Sequence, residues 1–287
     1  MDDHLNFPLK VDAVAGLARH LNLEVHFSAC GVGASWSQLA QSLFKRALSD
    51  ALTITVRDRS SVERLERFLP GLPASPRMTF DPAIWAAEVY GRCDEPAADQ
   101  QLVGIGLLGL HEVNAYAPKN AAFNDESLAR FWIEVMARLY QEGVAFEVFT
   151  NGTASDHLFA QQVCREAQKE LAFEPRLSER PIRPRDLAQQ ISRYKAVLAS
   201  RLHGGIVALS YGIPVAGLAW DDKVRSFFAD TGRSELCVSI YDRNPDAVVK
   251  ALLRSVQEGV DGSALGLWKD RARENAIVVL SKSTLGL

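Results

Sequence analysis

Short apolar segments alternate with amphipathic ones along most of the chain, and this alternation limits the fold more than any other feature. The apolar run Leu52–Val56, for example, is followed by RDRSSVERLERFL, which has helical periodicity. Strands that alternate with helices form parallel sheets covered by helices on both faces. The sequence therefore predicts an α/β fold with strands at 23–29, 52–56, 78–81, 102–108, 144–150, 195–200 and 213–219.

The clearest helix follows Asn124, which can cap a helix that begins with Asp and Glu. Its apolar residues recur with the helical repeat and form one stripe: Leu128, Phe131, Trp132, Val135, Met136 and Leu139. Further helices are predicted near 35–50, 155–170, 186–194, 202–211 and 267–280, and after Asn244-Pro245. Pro is tolerated in the first helical turn, which suits that last position.

The chain of 287 residues is long enough for two domains. The stretch GRCDEPAADQ at 91–100 has no apolar periodicity and contains a proline, so we predict a linker there. The expected organisation is an N-terminal domain at 1–100, a C-terminal domain at 101–265, and a last helix at 266–287 that packs back on the N-terminal domain.

Composition excludes several classes of function. A net charge of −3 gives no basic field for a polyanion, so nucleic acid is not an expected partner. Cys30, Cys93, Cys164 and Cys237 form no CxxC pair and have no histidine at ligand spacing, which predicts reduced thiols and no metal site. The opening MDDHLNFPLK lacks the regions of a signal peptide, and no apolar run spans a bilayer, so we expect a cytoplasmic protein.

The stretch ASRLHGGI at 199–206 is the strongest candidate for a site, because it lies where an apolar strand turns into a helix. Ligands of open α/β sheets bind at the carboxyl ends of strands. Arg201 offers a planar fork of donors, and His203 has a charge that is adjustable near neutral pH. Gly204 and Gly205 let backbone approach a ligand, and the N–H groups of a helix start attract anions. The stretch predicts a site for a small anion; the alternative is a helix start with a surface arginine and a locally packed histidine.

Other motifs are weaker. The glycines of Gly104-x-Gly106-x-x-Gly109 fit a dinucleotide fingerprint by letter, but they lie mostly in a strand with no helix expected directly after it. We therefore expect them to permit close packing or a bend. His111 and Glu112 follow the same strand end, where they either touch a substrate or form a loop pair that faces water, and the loop pair is our expectation. Asn151, Thr153 and Asp156 follow a strand end, where they either join the site or cap the next helix.

The run that contains ASRLHGGI resembles the most characteristic segment of the polysaccharide pyruvyl transferase family. That segment is a strand, S-R-L-H, an apolar helix with a small-Gly-Pro exit, a strand, and an aromatic or polar residue shortly before Lys. The matching residues here are Ser200-Arg201-Leu202-His203, Tyr211-Gly212-Ile213-Pro214 and Trp220-Asp221-Asp222-Lys223.

Two shorter matches lie earlier in the chain. ITVRDRSSVERL at 54–65 is similar to the V-R-D-x-x-S junction of the family, with Arg57, Asp58 and Ser61. MTFDPAIW at 78–85 is similar to a D-P-A strand end, with Asp81 and Pro82. The resemblance runs over most of residues 20–240 in the right order.

The resemblance implies a GT-B-like arrangement, in which two Rossmann-like domains face a cleft. Family members open with a strand and a Gly-rich turn, whereas this chain begins at MDDHLNFPLK, so we expect a shortened N-terminal domain. The implied reaction transfers pyruvate from phosphoenolpyruvate to a sugar of a polysaccharide or lipid-linked oligosaccharide, with no cofactor. The residues expected to bind substrate are Arg57, Asn151, Ser200, Arg201, Leu202, His203, Gly204, Gly205 and Lys223.

In the implied mechanism a general acid protonates the methylene carbon of phosphoenolpyruvate, one sugar hydroxyl attacks the central carbon, and a second displaces phosphate. His203 is the expected acid or phosphate ligand. Arg201 and Arg57 are expected to stabilise the departing phosphate, and Asp58 or Asp81 to accept a hydroxyl proton.

Two other functions stay open. One is a GT-B glycosyltransferase that uses a nucleotide sugar, and the other is a catalytically silent subunit of polysaccharide assembly. The sequence also leaves open peripheral association with a membrane surface and association of several copies of the chain.

Overall fold

The computed structural model describes residues 5–93, 101–171 and 173–282. The chain divides into two compact units: unit 1 is Met1–Pro82 with Gly266–Leu287, and unit 2 is Ala83–Leu265. The division lies earlier in the sequence than the linker predicted at 91–100. Of that linker, 94–100 lies outside the described residues, and Arg92 belongs to unit 2, where its Nη2 donates to the Tyr211 carbonyl at 2.8 Å.

Unit 1 is built on a small parallel sheet of strand order β1-β2-β3. The strands are β1 Val25–Cys30, β2 Ala51–Val56 and β3 Arg77–Met78, and the helices that precede or connect them are α1 Asn6–His20, α2 Gln38–Leu48 and α3 Arg59–Phe68. Strands and helices share an apolar core that contains Val32, Phe44, Leu48, Ile54, Val56 and Leu65. Burial of this core stabilises the unit by removing apolar surface from water.

The last helix of the chain is α12, Gly262–Lys282. From Gly266 onward its residues belong to unit 1 and pack against the rest of that unit. The rings of Phe80 and Trp268 stack with their centroids 5.5 Å apart. The Thr79 hydroxyl donates to the Arg271 carbonyl at 3.0 Å, and the Asn275 amide donates to the Ser28 hydroxyl at 2.9 Å. The helix therefore contacts the first strand of the small sheet, β1, and the residues that directly follow its last strand, β3.

Two elements of unit 1 differ from the sequence prediction. Helix α1 is absent from the prediction, whose first element is the strand at 23–29. The segment contains Pro8, but Pro8 lies in the first turn of α1, where a missing N–H removes no helical hydrogen bond. The strand predicted to end at Asp81 is only Arg77–Met78. A 3₁₀ turn at Pro82–Trp85 follows, because Pro82 fixes a backbone angle that suits a turn.

Unit 2 is built on a parallel sheet of six strands in the order β6-β5-β4-β7-β8-β9. Counted within the unit, this is the order 3-2-1-4-5-6 of doubly wound folds. The strands are β4 Val103–Gly106, β5 Phe146–Phe149, β6 Arg176–Leu177, β7 Ala196–Ala199, β8 Val215–Ala219 and β9 Cys237–Ser239. Every residue of β4, β7 and β8 is buried, as expected of strands covered on both faces.

The helices of unit 2 are α4 Ala86–Tyr90, α5 Leu110–Ala115, α6 Asp125–Gln141, α7 Ala154–Glu170, α8 Pro184–Ile191, α9 Leu202–Ser210, α10 Asp222–Asp230 and α11 Pro245–Glu258. Helix α6 confirms the clearest helix prediction: Asn124 caps it, and all six residues of the predicted stripe are buried. None of the helices within the described residues is long and apolar enough to cross a membrane.

The strand order places a switch point at the centre of unit 2. Strands β4 and β7 pair side by side from Val103 with Ala196 to Gly106 with Ala199. The chain proceeds outward from β4 towards one edge and from β7 towards the other. Ligands of such sheets bind at the carboxyl ends of the two central strands, where the order reverses. A site is therefore expected among the residues that directly follow Gly106 and Ala199.

Candidate active site

The S-R-L-H stretch begins directly after β7, at the switch point. Ser200 is fully buried, and its hydroxyl donates to the Gly106 carbonyl at the end of β4 at 2.6 Å. The Trp220 indole N–H, after β8, donates to the Ser200 carbonyl at 2.7 Å. The hydroxyl and the carbonyl of Ser200 thus connect the carboxyl ends of β4, β7 and β8. The substrate contact predicted for Ser200 stays a prediction, and its hydroxyl is already used within the fold.

Arg201 is held by two carboxylates from other parts of unit 2. Its Nε and Nη2 lie 2.7 and 2.6 Å from Asp156 Oδ2, and Nη2 donates to Glu112 Oε1 at 2.9 Å. The other oxygen of Asp156, Oδ1, accepts from the Gly109 N–H at 3.0 Å. The guanidinium fork that the sequence assigns to the donor is therefore occupied in this structure by the protein's own acidic groups.

Burial and charge act in opposite directions on this ion pair. Burial raises the pKa of Asp156, although the Arg201 charge and the Gly109 hydrogen bond oppose the shift. Burial acts to lower the pKa of Arg201, but Asp156 and Glu112 outweigh it and raise that pKa. Burial prevails for Asp156, which is fully enclosed, whereas the neighbouring charges prevail for Arg201, whose side chain is 21% exposed. Arg201 is charged, since a guanidinium does not lose its proton in proteins.

The segment after β4 differs from the sequence prediction. Helix α5 begins directly after Gly109, so the glycine motif does run from a strand through a turn into a helix. In a dinucleotide site the Gly109 N–H would face a phosphate. Here it donates to the Asp156 carboxylate instead. Gly104 and Gly106 leave room for the rings of Tyr194 and Phe149, which confirms the packing role predicted for them.

The acidic partners of Arg201 are the residues that sequence reasoning assigned incompletely. The prediction that Glu112 faces water from a loop is wrong, because Glu112 lies on α5 and binds Arg201, while its neighbour His111 is exposed. For Asp156 the sequence allows either a site role or a cap, and in the structure it is a buried partner of Arg201 in the first turn of α7. The available signal was position, since both residues follow carboxyl ends of predicted strands.

Helix α9 begins with the remaining residues of the stretch. Arg201 is its N-cap, and the Arg201 carbonyl accepts from the Gly204 N–H at 3.0 Å. Leu202 is half-buried and His203 is exposed, in the first turn. A Cβ on Gly204 would lie 3.2 Å from Asn151 Oδ1, so the predicted residue Asn151 does lie beside this turn.

Gly205 lies in this first turn of α9, and Lys223 follows it in the sequence, at the start of α10. A Cβ on Gly205 would contact Ala199, Val215 and Phe227, which shows that Gly205 faces the sheet and α10. Lys223 is half-buried in the first turn of α10, whose N-cap Asp221 accepts from the Val224 N–H at 3.1 Å. Burial raises the pKa of Asp221, against the opposing effects of that hydrogen bond and of the Lys223 charge.

Unit 1 brings together Arg57, Asp58 and Asp81, which the sequence also predicts as site residues. Arg57 Nη1 lies 3.3 Å from Asp81 Oδ2, and Arg57 Nε lies 3.8 Å from Asp58 Oδ2. The buried Nε has no hydrogen-bond acceptor among the described residues. A Cβ on Gly31 would lie 2.8 Å from Arg57 Nη2, so Gly31 is what allows the guanidinium to lie there.

Asp58 has a structural task that limits its chemistry. It is the N-cap of α3, and its Oδ1 accepts from the Ser61 N–H at 2.7 Å and from the Ser60 hydroxyl at 2.8 Å. These two donors occupy Oδ1 and fix the carboxylate at the start of the helix. The proton-acceptor role predicted for Asp58 would compete with the cap. Elsewhere in the described residues, no three His, Cys, Asp or Glu side chains are grouped so that they could hold a metal ion.

Solved structures resemble this chain in fold. A UDP-GlcNAc 2-epimerase from Methanocaldococcus jannaschii matches with a TM-score of 0.61 at 12% identity, over 94% of this chain and 74% of that one. A UDP-forming trehalose-phosphate synthase from Burkholderia xenovorans matches with a TM-score of 0.52 at 12% identity, over 94% and 69%. At such identity the likeness concerns the fold alone, and it confirms the predicted GT-B-like α/β class.

Comparison of sequences adds the family. No curated protein matches this chain. The family profile described as Polysaccharide pyruvyl transferase matches residues 1–222, which includes Arg57, Asp81, the S-R-L-H stretch and Asp222. Because this match extends over most of the 287 residues, the chain belongs to the polysaccharide pyruvyl transferase family.

Proposed function

We propose that the protein transfers pyruvate from phosphoenolpyruvate to a sugar of a bacterial polysaccharide or of its lipid-linked precursor and forms a pyruvate ketal. The observation that carries the proposal is the position of the S-R-L-H stretch, which follows β7 at the switch point of the sheet in unit 2, in a chain of this family. Sheets of this order bind ligands at that position.

Recognition of the donor requires cations and N–H groups, because phosphoenolpyruvate carries a carboxylate and a phosphate. In unit 2 we assign this role to the first turn of α9 with His203, and to Lys223 in the first turn of α10. In unit 1 we assign it to Arg57, whose carboxylate partners lie farther away, at 3.3 and 3.8 Å. Arg201 is then a positioning residue, since its guanidinium already binds Asp156 and Glu112.

The reaction consumes one proton at carbon and releases two from the sugar. A general acid, for which His203 is our assignment, protonates the methylene carbon, so that it becomes a methyl group and the central carbon becomes electrophilic. One sugar hydroxyl adds to that carbon and loses its proton. A second hydroxyl displaces phosphate, which leaves with the C–O bond electrons, and loses its proton as the ring closes. Asp81 is our choice for a proton acceptor, because Asp58 caps α3.

Phosphate release tests the proposal directly. The protein is incubated with phosphoenolpyruvate and a panel of synthetic mannosyl, galactosyl and N-acetylhexosaminyl acceptors, and ketal formation is checked by mass spectrometry. We expect release with at least one acceptor, and a loss of about a hundredfold or more in His203→Ala. His111→Ala, which changes an exposed histidine on α5, is the matched control and should retain full activity. No release with any acceptor from folded protein would favour the silent subunit.

A further inference from the structure

A wide cavity lies at the β6 edge of the sheet in unit 2, away from the S-R-L-H stretch. Its volume is about 1240 Å³, and it is lined by α7, by β6 with the segment after it, and by α8. Pockets for single small molecules measure about 300–1,000 Å³. The cavity therefore has room for a ligand longer than one small molecule.

The lining is polar and nearly balanced in charge. It contains five arginines, four carboxylates and four glutamines, and no aromatic ring. Arginine only donates hydrogen bonds, a carboxylate only accepts them, and glutamine does both. A ligand that suits such a lining must itself donate and accept at many points, which describes a chain of hydroxyl groups better than a polyanion or an apolar molecule.

Part of the cavity is built from buried polar groups. Ser178, only 9% exposed, has a hydroxyl with no hydrogen-bond partner among the described residues. Nearby in the lining, Glu147 Oε2 accepts from the Tyr194 hydroxyl at 2.6 Å, and the buried Gln190 amide donates to the same hydroxyl at 3.2 Å. Buried hydroxyls without a partner are rare, because they lose hydrogen bonds to water. The Ser178 hydroxyl, in a residue of the lining, thus has hydrogen-bonding capacity that the described part of the protein does not use.

The edge strand itself is poorly suited to a peptide strand. β6 is only two residues long, and Pro175 and Pro181 lie on either side of it. Proline has no N–H to donate, and natural sheets use it to prevent the pairing of edge strands. Recognition in this cavity must therefore depend mainly on side chains rather than on a new backbone ladder.

The cavity is connected to the candidate active site through one loop. Arg180, in the lining, donates from Nη1 to the Gly152 carbonyl at 2.8 Å. A Cβ on Gly152 would lie 2.7 Å from the Pro181 carbonyl, so loop and lining are in tight contact. The preceding residue, Asn151, lies beside Gly204 in the first turn of α9. A chain bound in the cavity would lie within the same unit as that turn and share this loop with it.

We propose that this cavity binds an oligosaccharide segment of the acceptor, several sugars away from the one that reacts. The proposal rests on the proposed function for the nature of the acceptor. The Ser178 hydroxyl, Arg176 and Gln168 contact hydroxyl groups of the bound sugars. Arg176 and Gln168 are exposed side chains of the lining, so both can be changed with little effect on the fold.

The test is binding without phosphoenolpyruvate, so that it does not depend on catalysis. The probes are oligomers of mannose, galactose and N-acetylglucosamine, each from the monosaccharide to the hexamer, titrated calorimetrically. The proteins are the wild type, Ser178→Ala, the double variant Arg176→Ala with Gln168→Ala, and Arg185→Ala. Arg185 is an exposed arginine of α8 outside the cavity, which makes it a matched control.

We expect one hexamer to bind more tightly than its monosaccharide, and to protect 174–183 from hydrogen exchange. Ser178→Ala and the double variant should each weaken hexamer binding by about fivefold or more, as expected for a lost hydrogen bond, with unchanged melting temperatures. Arg185→Ala should bind as the wild type does. The monosaccharide should be insensitive to all of these changes.

Three results would overturn the proposal: no hexamer binds, the cavity variants bind hexamer like the wild type, or a hexaglutamate peptide protects 174–183 while no sugar does. Its failure is distinct from failure of the proposed function. Phosphate release on short acceptors with no hexamer binding would reject the cavity alone, whereas hexamer binding without phosphate release from any acceptor would reject pyruvyl transfer alone.

Discussion

Each unit contains one arginine between two carboxylates, and the two arrangements differ in how completely the arginine is used. In unit 2, Arg201 has both carboxylates within 2.9 Å. In unit 1, the carboxylates of Asp81 and Asp58 lie 3.3 and 3.8 Å from Arg57, and the buried Arg57 Nε has no acceptor among the described residues. Similar residue types therefore give a satisfied ion pair in one unit and an incompletely satisfied one in the other.

This difference separates a structural role from a chemical one. A guanidinium with its hydrogen bonds satisfied by buried carboxylates stabilises the fold, and breaking such a pair leaves a buried charge without a partner. A guanidinium whose carboxylate partners lie beyond 3 Å can exchange one of them for a substrate anion at a lower cost. Arg201 then fixes the switch point of unit 2, and Arg57 is the arginine that we expect to contact phosphoenolpyruvate.

The largest effect is expected from Arg201→Ala. This change leaves the fully enclosed Asp156 carboxylate without its cation, so the free energy of unfolding should fall by about 3 kcal/mol. We expect the lower end of the range for a buried ion pair because the Arg201 side chain is partly exposed. Chemical denaturation measures this free energy of unfolding. Arg130→Ala, which removes an exposed pair with Glu170, should cost less than about 1 kcal/mol. Equal losses in the two variants would contradict the structural role.

Arg57→Ala should show the opposite pattern. We expect kcat/KM for phosphate release to fall about a hundredfold, since a donor to the substrate anion is lost. The free energy of unfolding should fall by less than in Arg201→Ala, by about 1–2 kcal/mol, because the carboxylates lie farther from Arg57 and Asp58 keeps its donors Ser60 and Ser61. The comparison fails if Arg57→Ala unfolds as easily as Arg201→Ala, or if its activity is that of the wild type.

Gly31→Ala sharpens the assignment of Arg57 without removing the cation. The new methyl group would lie 2.8 Å from Arg57 Nη2, so the guanidinium has to move. We expect KM for phosphoenolpyruvate to rise about threefold to tenfold, in line with the sensitivity of catalysis to small displacements. Gly16→Ala is the matched control, because nothing lies within 4 Å of its added carbon. A similar KM in both variants would count against Arg57.

The smallest effect is a dependence of stability on pH that is due to Asp156. Burial raises the pKa of Asp156 in the folded protein. Its contribution to stability is therefore fully present below the pKa of the unfolded chain, about 3.9, and decreases as pH rises through the folded value. In the variant Asp156→Asn the side chain cannot ionise. The unfolding free energy of the wild type minus that of this variant should therefore decline from pH 3.5 upward. A difference that grows with pH would mean that the attraction of Arg201 outweighs burial.

The sequence predicts the interior of unit 2 well and its edges poorly. The apolar stripe of α6 and the buried strands β4, β7 and β8 carry strong periodic or continuous apolar signals, which depend on local burial. The strands β6 and β9, of two and three residues, are too short to give such a signal. Without them the strand order, and hence the switch point, is not readable from the sequence.

The candidate site was predictable in location but not in its pairings. The rule that ligands bind at the carboxyl ends of strands led to Arg201, His203 and Asn151, and the last two do lie in or beside the first turn of α9. The contacts of Arg201 with Glu112 and Asp156 connect residues 89 and 45 positions apart. Such contacts depend on the packing of α5 and α7 against the sheet, which no local pattern encodes.

The central claim is that the donor is phosphoenolpyruvate, and calorimetric titration of the wild-type protein without an acceptor tests it most directly. We predict that phosphoenolpyruvate binds and that Arg57→Ala weakens this binding at least about tenfold, whereas uridine and guanosine diphosphates neither bind nor compete. Binding of either nucleotide without binding of phosphoenolpyruvate would contradict the account and identify the protein as a user of nucleotide sugars.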